Sequence, residues 1–145
     1  MNCVAPSRIM QSRAMPVRQL PAHVVTMAQP CMLLDEDAII MIDLEESLRG
    51  IGLSNIRIAT TLLRASQISA ATMPRLAILD YKIHGGTSLK VAEEMAAGGA
   101  QIIFLTGYGD ALLLPPILDG AKVISKPFVI GDLIAALREL FPLNK

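Results

Sequence analysis

Short runs of apolar residues recur along the chain after residue 30, and each has the length of a β-strand. They are Cys31–Leu34, Ile56–Ala59, Leu76–Leu79, Gln101–Leu105 and Lys122–Ile124. Runs with so little polar interruption are typical of strands that are buried on both faces of a parallel sheet. The pattern therefore predicts five strands in one buried sheet.

The stretches between these runs carry apolar residues three or four positions apart, which is the spacing of one face of a helix. In the first stretch the apolar residues at this spacing are Ile40, Leu44, Leu48 and Ile51, which are expected to face the sheet, and charged residues lie on the opposite side. Later stretches repeat the spacing at Leu62, Leu63 and Ile68, then at Leu89, Val91, Ala92 and Met95, and finally at Leu133, Ala136, Leu137 and Leu140. Each of these stretches is expected to form a helix that covers the sheet.

The stretch between the fourth and fifth strands has a different composition. It is interrupted by Gly107, Gly109, Pro115, Pro116 and Gly120, and both residue types disfavour a helix interior. We expect a loop there with at most a short turn, so the fourth helix is degenerate. Because strands alternate with helices and parallel crossovers are right-handed, the chain is expected to be an α/β domain, a doubly wound five-stranded parallel sheet with helices on both faces.

Residues 1–30 differ in composition from the rest of the chain. They hold Arg8, Arg13 and Arg18 but no acidic residue, and their four prolines disfavour a stable helix. We expect a disordered N-terminal extension over residues 1–30 and one folded domain over residues 31–145. Two alternatives stay open: a natural start at Met27, and a transit peptide, against which the prolines argue because such peptides are amphipathic helices.

Charge and cysteine content narrow the classes of function. The 145-residue chain has a formal net charge of zero, so its electrostatics do not point to nucleic acid or to a membrane surface as the partner. No apolar run approaches the roughly 20 residues that span a bilayer, and Cys3 and Cys31 lack the spacing of a metal or disulfide motif. We expect a cytoplasmic protein with unpaired thiols.

Polar residues follow four of the predicted strands, at the ends where ligands bind in open parallel sheets. The first strand is followed by Asp35, Glu36 and Asp37, the third by Asp80, the fourth by Thr106 and the fifth by Lys126. Crowded carboxylates favour a hard divalent cation such as Mg²⁺. Beside that ion Asp80 can act as a nucleophile toward phosphorus, while Thr106 and Lys126 hold phosphoryl oxygens.

Each of these features has a simpler explanation when it is taken alone. The acidic run after the first strand also suits a helix N-terminus, which favours negative charge. A single Asp at a strand end is more often a cap or a turn residue, and Lys126–Pro127 is compatible with an ordinary turn. The joint occurrence of all four features, each at a strand end, favours the phosphoryl-transfer interpretation.

Four segments of the chain together resemble the signature blocks of response-regulator receiver domains. These segments are Leu33–Asp37, Leu76–Asp80, Ile103–Tyr108 and Ser125–Phe128. The resemblance runs from Cys31 to about Leu140 and implies a flavodoxin-like receiver fold. The segment Phe104–Tyr108 is similar to a receiver subgroup with an F-x-T-G-Y block and a degenerate fourth helix.

The resemblance also implies roles for individual residues. Asp80 would be phosphorylated by a sensor histidine kinase or a phosphotransfer protein, with Mg²⁺ as the cofactor. The metal site would comprise Asp35, Glu36, Asp80 and the backbone carbonyl of Lys82. Phosphoryl binding and switching would fall to Thr106, Lys126 and Tyr108, and the Lys126–Pro127 peptide bond would be cis.

Four positions depart from the pattern of the family. Glu36 stands where the metal ligand is usually Asp, and Mg²⁺ tolerates little distortion of its octahedron, so either the affinity falls or Asp35 or Asp37 takes over. Lys82 places a cation two residues after Asp80, where it would weaken metal binding or steady a phosphoryl group. His84 stands where proline is common, and Val123 replaces the usual switch aromatic.

Three functions compete on the sequence alone. The first is a stand-alone response regulator, not an enzyme, that signals through protein contact and docks its kinase on Ile39, Met41, Ile42, Pro127 and Phe128. The second is a pseudo-receiver that binds a partner without phosphorylation, which Glu36 and Lys82 suggest. The third, a small phosphatase, is disfavoured because such enzymes use an acid–base Asp where this chain has Lys82.

Overall fold

The structure is a computed structural model that describes residues 19–107 and 112–143. Its main sheet has five parallel strands, here named β1 to β5: Cys31–Leu34, Ile56–Ala59, Leu76–Asp80, Gln101–Thr106 and Lys122–Ser125. Their order across the sheet is β2-β1-β3-β4-β5, which is the doubly wound arrangement of flavodoxin-like proteins. The predicted fold class is confirmed, and three strands run one residue further than the sequence indicated.

Alternate residues of the central strands enter two separate cores. On β1, Cys31 and Leu33 pack with one cluster, while Met32 and Leu34 pack with the other. Strands β3 and β4 follow the same alternation, since successive side chains of a strand point to opposite faces. Burial on both faces is why these strands appear in the sequence as uninterrupted apolar runs.

In the part of the chain that the structure describes, five helices cover the sheet: α1 (Ala22–Met27), α2 (Ala38–Gly50), α3 (Leu62–Thr72), α4 (Leu89–Ala97) and α5 (Ile130–Leu140). The first core is covered by α1, α2 and α5, and the second by α3 and α4. Within the described residues, the crossover from β4 to β5 contains only a single 3₁₀ turn, Pro116–Leu118, which confirms the degenerate fourth crossover. None of the described helices is long and apolar enough to cross a bilayer.

The buried stripe of α2 differs by one position from the stripe that the sequence indicated. Met41 is 1% exposed, whereas Ile40 is 41% exposed. The spacing Met41, Leu44, Leu48 fits a helix as well as the predicted spacing does, and Asp37 fixes the start of α2 by accepting from the N–H groups of Ile39 and Ile40. Ile40 was therefore placed wrongly in the core, and Met41 wrongly on the surface.

The N-terminal boundary of the domain also differs from the prediction. Residues 19–30 were assigned to a disordered extension, yet Leu20, Val24 and Ala28 are buried in the first core. The backbone N–H of Leu20 donates to Ile51, and Gln29 accepts from the N–H groups of Ser54 and Asn55. The prediction is wrong for residues 19–30, because α1 covers apolar surface that the end of α2 and the end of α5 leave open. Residues 1–18 lie outside the described residues.

Candidate functional site

The polar residues at the strand ends meet at one edge of the sheet, beside the point where the strand order reverses. Asp35 directly follows β1, and Asp80 ends β3, the strand next to β1. Thr106 ends β4, and its C=O accepts the backbone N–H of Lys126, which directly follows β5. Because the parallel strands end in register, four positions far apart in sequence come together.

Lys126 bridges two carboxylates at this edge. Its Nζ atom lies 3.1 Å from Oδ1 of Asp80 and 3.5 Å from Oδ2 of Asp35. The side chain of Asp35 is 5% exposed and that of Asp80 is 14% exposed. Two largely buried carboxylates with one shared cation carry a net negative charge, and such a cluster favours a further cation.

The pKa values reflect this crowding. Burial raises the pKa of Asp80, and the negative charges of Asp35 and Glu36 add to the rise, while the hydrogen bond from Lys126 opposes it. For Lys126, burial alone would lower the pKa, but the hydrogen bonds and charges of Asp80 and Asp35 outweigh burial and raise it. Folding therefore disfavours the charge on Asp80 and favours the charge on Lys126.

Asp37 serves α2 as its cap, which is the simpler of the two explanations for the acidic run. Its Oδ1 atom accepts from Ile39 at 2.9 Å and from Ile40 at 3.4 Å. Its own N–H donates to Oδ1 of Asp35 at 2.9 Å. Asp37 thus orients Asp35 toward the sheet edge and is itself committed to the helix N-terminus.

The Glu36 carboxylate is bonded to the hairpin that follows β3. Its Oε2 atom accepts a hydrogen bond from the backbone N–H of His84 at 2.7 Å. Across the described ranges 19–107 and 112–143, no three His, Cys, Asp or Glu side chains converge closely enough to form a metal site. The structure thus joins Asp35 and Asp80 through Lys126, while Glu36 is bonded to His84.

A short hairpin, Lys82–Ile83 paired with Gly86–Thr87, follows Asp80 and leads to α4. Ser88 closes this hairpin: it is fully buried, and its Oγ donates to the C=O of Asp80 at 2.8 Å. Tyr81 packs edge-on against Phe104 with ring centroids 5.7 Å apart. Sequence reasoning missed Ser88, and its place just before an apolar helix signalled only a helix cap.

Comparisons with known proteins agree on the class of fold. No family model matches the chain. The receiver domain protein (CheY-like) from Methanospirillum hungatei JF-1 is 20% identical, with a TM-score of 0.65 over 77% of this chain and 92% of that one. A mutant of the anti-anti-sigma factor PhyR from Bartonella quintana is 18% identical, with a TM-score of 0.63 over 77% of this chain and 47% of that one. The chain has the receiver-domain fold of response regulators.

One similarity is also visible in the sequence. The phyllosphere-induced regulator PhyR of Methylorubrum extorquens is 27% identical over 116 residues, which make up 78% of this chain and 43% of that protein. This chain therefore spans less than half the length of that curated relative. The likeness concerns the part of PhyR that aligns with this receiver fold.

The remaining predicted residues occupy different parts of the receiver fold. Thr106 is 1% exposed at the end of β4, and Lys82 lies in the hairpin after Asp80 with its side chain exposed. Tyr108 lies outside the described residues, so its switch role stays a prediction. The Lys126–Pro127 bond is cis, as the resemblance implied, and Cys31 is a free, buried thiol.

The donor set at the sheet edge fits Mg²⁺. The ion prefers oxygen ligands, uses one or two carboxylates and keeps several waters. Asp35 and Asp80 supply two carboxylates whose charges are only partly neutralised by Lys126, and burial, with the charge of Asp35, raises the pKa of Asp80. These two residues are the ones that would hold the ion in this receiver fold.

Proposed function

We propose that this chain is a response-regulator receiver that accepts a phosphoryl group on Asp80 and signals by contact with a partner protein. The observation that supports the proposal is the bridge from Lys126 to Asp80 and Asp35 at the carboxyl end of the sheet. It pairs a nucleophilic carboxylate with a fixed cation that can bind the incoming phosphoryl oxygens.

In the proposed step a carboxylate oxygen of Asp80 attacks the phosphorus of a phosphohistidine on a kinase or phosphotransfer protein. An O–P bond forms while the P–N bond breaks, and the electron pair stays with the imidazole, which takes a proton from solvent. Lys126 is placed to hold a phosphoryl oxygen by charge and hydrogen bond. Thr106, at the end of the neighbouring strand, is the hydroxyl expected to respond to the modification.

Mg²⁺ is the proposed cofactor, held by Asp35 and Asp80 with water. When it is bound, it neutralises negative charge that would otherwise repel the phosphoryl oxygens. Glu36 and the carbonyl of Lys82 were expected to complete this site. In the structure the Glu36 carboxylate is engaged with His84.

The proposed output is a protein contact, and we class the chain as a signalling protein of the cytoplasm rather than an enzyme. The PhyR protein of Bartonella quintana, which has a similar fold, is an anti-anti-sigma factor. Two apolar side chains of α2, Ile39 and Ile42, are 78% and 57% exposed, and Ile40 of the same helix lines a groove with Phe128 and Val129. We propose that the kinase docks on this surface. Met41 was predicted to belong to it, but the side chain of Met41 is buried.

Intact-mass measurement after incubation with Mg²⁺ and acetyl phosphate tests the proposal. We expect a gain of one phosphoryl group on the wild-type chain and none on Asp80→Asn. Leu133→Met, a conservative change in the core away from the site, serves as the matched control. A chain that gains no phosphoryl group at saturating Mg²⁺, or an adduct that persists in Asp80→Asn, would contradict the proposal.

A second candidate is a pseudo-receiver that binds its partner without phosphorylation. The observation that favours it is the position of Glu36, which is turned to His84 while Lys126 already neutralises part of the remaining charge. This candidate expects no phosphoryl adduct and expects partner binding that Asp80→Asn leaves intact. The mass experiment therefore separates the two functions.

A further inference from the structure

A hydrogen bond joins the loop after β1 to the hairpin after β3. Oε2 of Glu36 accepts from the backbone N–H of His84 at 2.7 Å, across 48 residues of sequence. Hydrogen bonds to an ionised acceptor are roughly twice as strong as neutral ones. This bond therefore ties the tip of the hairpin to the start of α2.

The donor of this bond exists only because residue 84 is not proline. His84 and Gly85 are the two central residues of the hairpin turn between Ile83 and Gly86. Gly85 has a φ of 90°, which suits the second central position of a type II turn. Proline is common at the first central position of such a turn, so His84 keeps an N–H where proline would be accommodated.

The acceptor exists only because residue 36 is longer than aspartate. One methylene fewer would draw the carboxylate back by about 1.5 Å, which is beyond hydrogen-bond distance of the His84 N–H. The neighbouring acids cannot replace it, since Asp35 faces Lys126 and Asp37 caps α2. A glutamate at 36 and a residue with an N–H at 84 thus form one interacting pair.

The hairpin that this pair holds is directly attached to the proposed phosphorylation site. It begins two residues after Asp80, and its base is closed by Ser88, whose Oγ donates to the C=O of Asp80. With Ser88 at the base and Glu36 at the tip, the hairpin is fixed at both ends. Loss of the tip contact would release the turn at His84 and Gly85, while Ile83 stays buried in the second core.

We propose that Glu36 is a positioning residue, which fixes the hairpin beside Asp80 through the His84 N–H and does not ligate Mg²⁺. The part of this proposal that concerns the ion rests on the proposed function. The hydrogen bond itself does not, since it forms from protein groups alone. Asp35 and Asp80 are then the carboxylates that hold the ion.

Nitrogen-edited NMR of the His84 amide in metal-free buffer tests the contact directly. Glu36→Gln keeps an oxygen at the same reach, whereas Glu36→Asp shortens it. We expect the His84 amide to exchange with solvent about tenfold faster in Glu36→Asp and to lose its downfield shift. In Glu36→Gln the His84 amide should stay hydrogen-bonded, with a smaller downfield shift because the acceptor is neutral, and in His84→Ala, which keeps the N–H, the residue 84 amide should stay hydrogen-bonded. An unchanged amide in Glu36→Asp would overturn the proposal.

A magnesium titration followed by the same signals tests the role toward the ion. We expect saturating Mg²⁺ to leave the His84 amide hydrogen-bonded, and Glu36→Gln to bind Mg²⁺ within about threefold of wild type. Loss of a direct carboxylate ligand would instead abolish binding or weaken it far more, because Mg²⁺ takes only one or two carboxylates from a protein. If Mg²⁺ released the His84 amide, or if Glu36→Gln abolished binding, Glu36 would be a ligand and the proposal would be wrong.

Rates of phosphorylation give a third, independent comparison. His84→Pro removes the donor while suiting the turn, and we expect it to slow adduct formation as much as Glu36→Asp does. The double variant should be no slower than either single one, because both remove the same bond. Additive effects would overturn the proposal. If the wild-type chain forms no adduct, the proposed function fails while the metal-free amide comparison still decides the contact.

Discussion

The Nζ atom of Lys126 lies 3.1 Å from Oδ1 of Asp80, at the edge where β3 and β5 end. The same ammonium also reaches Asp35 at 3.5 Å. One cation thus serves two largely buried carboxylates, and the folded state retains a charge imbalance at this edge. Several measurable properties of the protein follow from this imbalance and from the packing of α1.

Asp80→Asn is expected to stabilise the protein in the absence of metal. The pKa of Asp80 is raised in the folded state, so folding favours its protonated form, and its ionisation above a pH of about 4 lowers stability. The neutral amide removes this penalty, and we expect a gain of about 0.5–1 kcal/mol at neutral pH.

Urea unfolding in EDTA at several pH values measures this gain. The difference between Asp80→Asn and wild type should shrink as the pH falls toward the ordinary pKa of aspartate, because both side chains are then neutral. Added Mg²⁺ should stabilise the wild type more than the variant. A variant that is less stable than wild type at neutral pH in EDTA would contradict the prediction.

Lys126→Met is expected to lower the free energy of unfolding by about 2–3 kcal/mol, since it leaves two buried carboxylates without their cation. Lys122→Met is the matched control, because Lys122 pairs with Glu139 on the surface, where ion pairs contribute about 1 kcal/mol or less. Denaturant unfolding of both variants in EDTA checks the difference. Equal losses for the two lysines would show that the buried cluster does not need its cation.

Cys31 is expected to be unreactive in the native protein. Its side chain is buried, and burial raises the pKa of its thiol to about 12, so the reactive thiolate is scarce at neutral pH. In a Cys3→Ser background, a thiol reagent should label Cys31 only after denaturant is added. Rapid labelling of the native chain would contradict the burial of this residue.

The same thiol makes stability depend on pH in the alkaline range. The unfolded thiol ionises above its ordinary pKa of 9.0, while the folded thiol stays neutral up to about 12. Its contribution is therefore fully present below pH 9 and is lost by about 1.4 kcal/mol per unit between those values. Comparing Cys31→Ala with its parent at several alkaline pH values isolates this effect from other titrating groups.

Gly52→Ala is expected to destabilise the protein more than Gly99→Ala does. Both glycines have a φ above +100°, but a Cβ on Gly52 would lie 3.0 Å from Cγ2 of Val25, whereas a Cβ on Gly99 meets nothing within 4 Å. Backbone strain is thus common to both variants. The difference between their losses of unfolding free energy, about 1 kcal/mol or more, therefore measures the contact with α1. Thermal unfolding of the two variants measures it, and equal losses would argue against this packing of α1.

Removal of residues 19–30 is expected to destabilise the domain. Leu20, Val24 and Ala28 would leave the first core, and burial of a Val or Leu side chain contributes about 1.5–3 kcal/mol. A chain that starts at residue 31 should unfold at a denaturant midpoint clearly below that of a chain that starts at residue 19. Equal midpoints would support the boundary that the sequence indicated.

The strands and the strand-end residues could be predicted from the sequence because both leave local signals. Burial of β1, β3 and β4 on two faces requires uninterrupted apolar runs, and the residue after each run must lie at the sheet edge. The strand ends in the sequence predict that Asp35, Asp80 and Lys126 lie together, and the structure joins them through hydrogen bonds. The glycines and prolines between β4 and β5 are a local signal of the same kind, because they predict a loop in place of a helix at the fourth crossover.

The tertiary structure alone decided the features that depend on pairs of residues far apart in the chain. The burial of α1 requires apolar surface from the ends of α2 and α5. Whether Ile40 or Met41 is buried depends on how α2 is rotated against the sheet. The bond between Glu36 and His84 joins residues 48 positions apart. None of these contacts imposes a period or a motif on the neighbouring sequence. They depend on the distances that packing sets between elements, which a local pattern of hydrophobic and polar positions does not encode.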